Sequence, residues 1–133
     1  MKKIGIALLT AIILWGCSDK KAQEKAALDS IINVHDKVMA EDEQLMKNKL
    51  LLDTLIKSKA GNDTAKILSS RLTLADSAMD TWMHAFQPDQ TGKSHDETMA
   101  YMIKQKKQIM QIDSQLSEAI SASNKYLIKI KTK

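Results

Sequence analysis

The sequence predicts an all-α protein, folded as an up-down-up three-helix bundle with long first and third helices. Three observations lead there. Beyond residue 16 the 133-residue chain holds one proline, Pro88, and two glycines, Gly61 and Gly92. Its dominant residues (Ala, Leu, Ile, Met, Lys, Gln) are mostly good helix formers, and strands would want more β-branched and aromatic side chains. Apolar residues recur at steps of three and four through three long segments, which are separated by "AGND" (60–63) and "QPDQTGKS" (87–94). A long antiparallel coiled-coil hairpin is the alternative that the same pattern allows.

The first element is a leader. "MKKIGIALLTAIILWGC" opens on two lysines, runs apolar from Ile4 to Trp15 and ends on a small residue. A positive start, a short apolar run and a small residue before a cut make up a secretory signal. Its twelve apolar-run residues fall short of the ~17–25 that a spanning helix needs. The zone "LWGC" resembles the lipobox of bacterial lipoproteins, matched by Leu14, Gly16 and Cys17, while Trp15 stands where that pattern has a small residue. Cys17, the only cysteine, would be the lipidated first residue of the mature protein, because a lone thiol in an oxidising compartment has no intramolecular partner. The chain then divides into a signal peptide over 1–16, a lipidated stalk over 17–23 and a helical bundle over 24–133. By the same resemblance Ser18, which is not Asp, favours the outer over the inner membrane. The expected location is the cell envelope, periplasmic or surface-facing.

After the polar stalk "SDKKAQ", the first helix is expected over about 24–58, with Leu28, Ile31, Ile32, Val38, Met39, Leu45, Met46, Leu52, Leu55 and Ile56 along its stripe. Gly61 offers the positive φ of a helix C-cap, and Asn62 or Asp63 can cap the next helix. The second helix is expected over about 64–86, presenting Ile67, Leu68, Leu72, Leu74, Met79, Trp82, Met83 and Phe86. Pro88 ends it. Ser94 and Glu97 have the spacing of a capping box, so a third helix starts there and runs to the C-terminus. Its stripe carries Met99, Met102, Ile103, Ile109, Met110, Ile112, Leu116, Ile120, Tyr126, Leu127 and Ile130. At 1.5 Å per residue the outer helices are each ~50 Å long and the middle one ~35 Å. The longer second loop makes up that difference without being an active site. It falls at the end where the first helix begins, beside the lipid surface, and the tail "YLIKIKTK" points away.

Charge excludes one class of partner. Without Lys2 and Lys3 the 20 basic residues fall to 18 against 16 acidic, a net charge of +2. A nucleic-acid footprint would need basic residues concentrated on one face with stacking aromatics. Enzymatic chemistry has no convergent set either: no glycine-rich phosphate cradle, no nucleophile elbow, and Ser69, Ser70 and Ser77 lie inside a helix with no base placed by any motif.

The remaining candidates are few. His35, Asp42 and Lys49, and Lys106 and Asp113, interrupt the apolar stripes at heptad spacing. They suit the bundle edge, or pairs between the parallel first and third helices that set register. Met83, His84, His95 and Met99 flank the second loop and are the residues to test for a soft metal such as copper, since thioethers suit Cu(I). A methionine stripe is ordinarily core, so no cofactor is expected. Trp82 and Phe86 lie one turn apart, as an aromatic plug in the core or as an interaction surface for lipid or a partner.

From "DSAMDTWMHAF" (76–86) through "DETMAYMIKQKKQIMQIDSQLSEAISASNKYL" (96–127) the chain resembles small helical lipoproteins of Bacteroidota-type bacteria, some of them labelled "viral A-type inclusion protein". The group implies no established activity, so no functional residues carry over. The expected function is a membrane-anchored, non-enzymatic scaffold or binding module for another envelope protein, or one that self-associates. A cell-wall tether through the C-terminal Lys133 is similar in outline to the murein lipoprotein, though three helices and a "KTK" ending depart from that protein. Periplasmic copper binding is the third class.

Overall fold

The computed structural model describes residues 13–60 and 62–132, with side chains from residue 19 onward. Residues 1–12 of the expected signal peptide (1–16), the Cys17 side chain, Gly61 and Lys133 lie outside what it describes. Three helices follow one another: α1 (Ile13–Lys57), α2 (Asp63–Ala85) and α3 (His95–Lys131). Each packs against the other two, with the most extensive interface between α1 and α3. The chain is an all-α three-helix bundle, with no strand among the described residues.

Contacts at both ends fix the up-down-up path. At one end the 88–93 loop lies against Lys21, Glu24, Lys25 and Leu28 of α1, and His95 Nδ1 sits 2.8 Å from Glu24 Oε1. At the other end the Tyr126 hydroxyl of α3 donates to Asn62 Oδ1 at the α1–α2 turn, at 2.9 Å. Thus α1 and α3 run parallel and α2 returns between them.

The helix ends follow local chemistry. α1 starts earlier than its polarity suggests: residues 17–23, expected to precede the first helix, are part of it. "SDKKAQ" contains no glycine or proline to stop a helix, and a polar helix turn can face water all round. At its far end Lys59 takes a left-handed conformation (φ 58°). Asn62 caps α2 by accepting from the Ala65 N–H at 3.3 Å. α2 stops at Ala85 because the chain turns extended at Phe86 (φ −71°, ψ 128°), two residues before Pro88.

α3 opens on the expected capping box. Ser94 Oγ accepts from the Glu97 N–H at 3.3 Å, and Glu97 Oε2 accepts from the Ser94 N–H at 2.8 Å. The Ser94 backbone N–H first, and its hydroxyl second, hold the Glu97 carboxyl below the usual carboxylate range. The Thr91 hydroxyl and N–H do the same for Asp89, and the Ser69 hydroxyl, then Lys49, for Asp53. A carboxyl depressed in the folded state stabilises above its unfolded pKa, and that stabilisation is lost as pH falls through the folded value. The melting temperature is therefore expected to be flat from pH 7 to about 5 and to fall below about pH 4.5. Ser94→Ala is expected to cost about 1 kcal/mol at pH 7 and to remove part of that acid-side slope. Thermal melts across pH check both.

The core is narrower than the apolar pattern suggests. α1 buries Ile31, Val38, Leu45 and Leu52, one per heptad, but Ile32, Met39 and Met46 stand exposed beside them. Ile67, Leu74 and Met83 on α2 and Ile103 and Met110 on α3 are likewise exposed. Successive residues on a helix are ~100° apart, and in a bundle of three each helix turns only about three of seven positions inward. Each of these outliers lies one or two positions from a buried residue and so faces outward.

Candidate functional site

Trp82 belongs to the core, and Phe86, Tyr101 and Tyr126, partly buried, pack against it. Trp82 is 7% exposed. Its ring stacks on Phe86 with centroids 4.8 Å apart and planes 16° from parallel, and Phe86 stacks in turn near Tyr101 at 6.3 Å. The spacing of four residues on α2 puts both rings on one face, as the sequence implied. Tyr101 turns its hydroxyl to the second loop, where it accepts from the Gln87 N–H at 2.8 Å. The column Trp82–Phe86–Tyr101 thereby ties the end of α2 to the start of α3. His35 lies at the edge of this column, its ring 6.4 Å from Trp82. Trp82 Nε1 is buried with no hydrogen-bond acceptor among the described residues.

A polar seam joins the two parallel helices. The Lys37 ammonium donates to both carboxylate oxygens of Asp113, at 2.8 and 2.7 Å, which raises the Lys37 pKa. One turn on, the Ser117 hydroxyl donates to Glu41 Oε2 at 3.1 Å. Two turns further Asn48, 1% exposed, donates to Ser123 Oγ and Asn124 Oδ1, each at 2.8 Å. The Gln44 amide donates to Asn48 Oδ1 at 2.7 Å. The Ser123 hydroxyl donates onward to the Ile120 carbonyl. Lys37–Asp113, Glu41–Ser117 and Asn48–Asn124 share one offset of 76 positions. A slip of either helix by a turn would break all three together. Buried polar pairs at core positions specify register in this way.

Of the five polar residues singled out in the sequence, Asp113 joins this seam and the others do not. Lys49 pairs with Asp53 on its own helix at 3.3 Å. His35 Nδ1 lies 3.0 Å from Asp36, Asp42 is half-buried at the α1–α2 edge, and Lys106 is exposed. The residues that make the seam's centre, Asn48 and Ser123, carry no charge and interrupt no pattern of charges. Their signal was helical phase: Asn48 lies three after Leu45 and four before Leu52, and Ser123 three after Ile120 and four before Leu127.

The four residues considered for a metal are not gathered into one site. His84 Nδ1 contacts the Asp80 carbonyl of its own helix at 2.8 Å, and His95 turns to Glu24. Met83 lines a different cleft, between α1 and α2. Among the described residues no three His, Cys, Asp or Glu side chains form a group able to hold a metal ion.

The end of the bundle nearest Cys17 carries a cleft of about 560 Å³ between Lys21, Glu24, Lys25 and Leu28 of α1, the 88–93 loop, and Thr98 and Met102 of α3. α1 continues beyond Lys21, away from the cleft, for eight residues, about 12 Å. Among the described residues no helix is long and apolar enough to cross a membrane. Comparison of the chain with protein-family models, curated proteins and solved structures finds no match.

Proposed function

We propose that the chain is a membrane-anchored envelope lipoprotein, attached through acylated Cys17, whose bundle serves as a non-enzymatic scaffold or binding module for another envelope component. The observation that carries the proposal is "LWGCS" at the end of a short apolar leader that opens on Lys2 and Lys3. A diacylglyceryl group and an N-acyl chain together give stable attachment at ~0.8 kcal/mol per buried CH₂. The likeness to small helical lipoproteins of Bacteroidota-type bacteria supports the same reading.

Two features of the fold suit it. The helix that carries Cys17 continues unbroken into the bundle, so an acylated Cys17 would mount it within about two turns of the bilayer. The second loop would then face the lipid, and Ser18 favours the outer membrane. The partner-binding reading is supported by Leu50, Leu74, Ile103 and Ile128, each more than half exposed although large and apolar. Leu74 borders a cleft of about 280 Å³ between α2 and α3, with Arg71, Gln115 and Glu118 as its polar rim.

A photocrosslinking side chain at position 74 or 103, in native membranes, tests the binding role. Expected is one recurrent adduct, with an envelope protein or with a second copy, that disappears when Cys17→Ser releases the chain from the membrane. Absence of any adduct from either position would count against a binding module.

A further inference from the structure

The geometry points to a soft-cation site in the cleft between α1 and α2, where the thioethers of Met39, Met79 and Met83 would bind monovalent copper, Cu(I). This goes beyond the anchoring role and stands apart from it. The cleft measures about 80 Å³, and three methionines and three aspartates (Asp42, Asp76, Asp80) line it. Liquid water occupies about 30 Å³ per molecule, so the space suits an ion and one or two waters, not an organic ligand.

Helical spacing assembles the set. Met79 and Met83 are one turn apart on α2, as are Asp76 and Asp80, and Met39 and Asp42 face them from α1. Val38, Leu45 and Leu116, all buried, form the floor. No lysine or arginine lines the cleft, its ionisable lining is three aspartates, and His84 Nδ1 lies 3.4 Å from Asp80. A cation is drawn in, and an anion is repelled.

Ordinary core packing does not account for Met39 and Met83. Met79 is 5% exposed and would fill a core gap in any case. Met39 and Met83 are 42% and 37% exposed, so burial rewards them only in part. Their sulfurs offer something leucine would not, a neutral soft donor that selects Cu(I) over hard ions. A thioether has no proton to lose, so binding through sulfur releases none, unlike thiolate or imidazole sites. Hard divalent ions lack a converging carboxylate and imidazole set among the described residues. Of the four residues considered for a metal in the sequence, only Met83 belongs to this cleft.

The test is a titration of the full chain carrying Cys17→Ser, so that its one thiol does not compete, with methionine methyl groups labelled with ¹³C. Ag(I) serves as the air-stable probe for Cu(I). Expected is saturation near one equivalent, with the methyl signals of Met39, Met79 and Met83 shifting and those of Met46, Met102 and Met110 unmoved. Met39→Leu with Met83→Leu, at two partly exposed positions, is expected to keep the fold by circular dichroism. It should weaken Ag(I) binding more than about tenfold, and Asp76→Asn should weaken it less. Uniform shifts of every exposed methionine, no shift at all, or equal binding by the folded double variant would each overturn the proposal. So would Zn(II) producing the same shifts.

Discussion

Trp82→Ala is expected to cost about 3–5 kcal/mol, the range for removing a large aromatic from a packed core. The ring is 7% exposed, stacks on Phe86 at 4.8 Å and closes the bundle where the second loop begins. Alanine would leave a cavity between α1 and α2 that Phe86 and His35 only partly fill. For a chain of this length the loss lowers the melting temperature by roughly 10–25 °C. Far-UV circular dichroism is the suitable probe, because the substitution removes the bundle's own tryptophan and Trp15 lies in the leader. A loss within ~0.5 kcal/mol would mean that the ring behaves as a surface residue and is free to meet lipid or a partner.

Asn48→Ala is expected to cost about 2–3 kcal/mol, although it removes a polar side chain from an apolar stripe. The amide makes three short hydrogen bonds, to Gln44, Ser123 and Asn124, in a setting only 1% exposed. Deleting it strands the partners, and a buried group left unsatisfied costs about 1–3 kcal/mol. A double-mutant cycle with Ser123→Ala separates that coupling from the packing loss, and an interaction of about 0.5–3 kcal/mol is expected. Additive effects would show that the seam is incidental. Urea denaturation with constant m-value provides the measurement.

The fold was legible because its signals are local. "SHDE" announces α3 by its capping box, Asn62 caps α2, and Pro88 closes the segment after it, all as the residues imply. What the pattern overstated was width. Ile32, Met39, Met46, Ile67 and Leu74 look like core by composition, yet only the packing of three helices decides which edge of a stripe reaches the centre. The start of α1 was hidden by the opposite error, since polarity in "SDKKAQ" resembles a linker although nothing in it breaks a helix. The site-level features depended on tertiary contact. Nothing near Lys37 marks Asp113 as its partner 76 positions away, and Met39 comes to line one cleft with Met79 and Met83 only because α1 and α2 pack together. Asn48 lay in phase with the core throughout but sits within "KNK", whose two lysines make the triplet look like a surface segment.

The anchored reading depends on Cys17 more than on any other residue, and intact-mass analysis of the membrane-extracted protein tests it most directly. Expected is a mature chain that begins at Cys17, heavier than residues 17–133 by a diacylglyceryl group and an N-acyl chain, and missing from membranes when Cys17→Ser is introduced. A mature protein starting at any other residue, or carrying Cys17 as a free thiol, would contradict it.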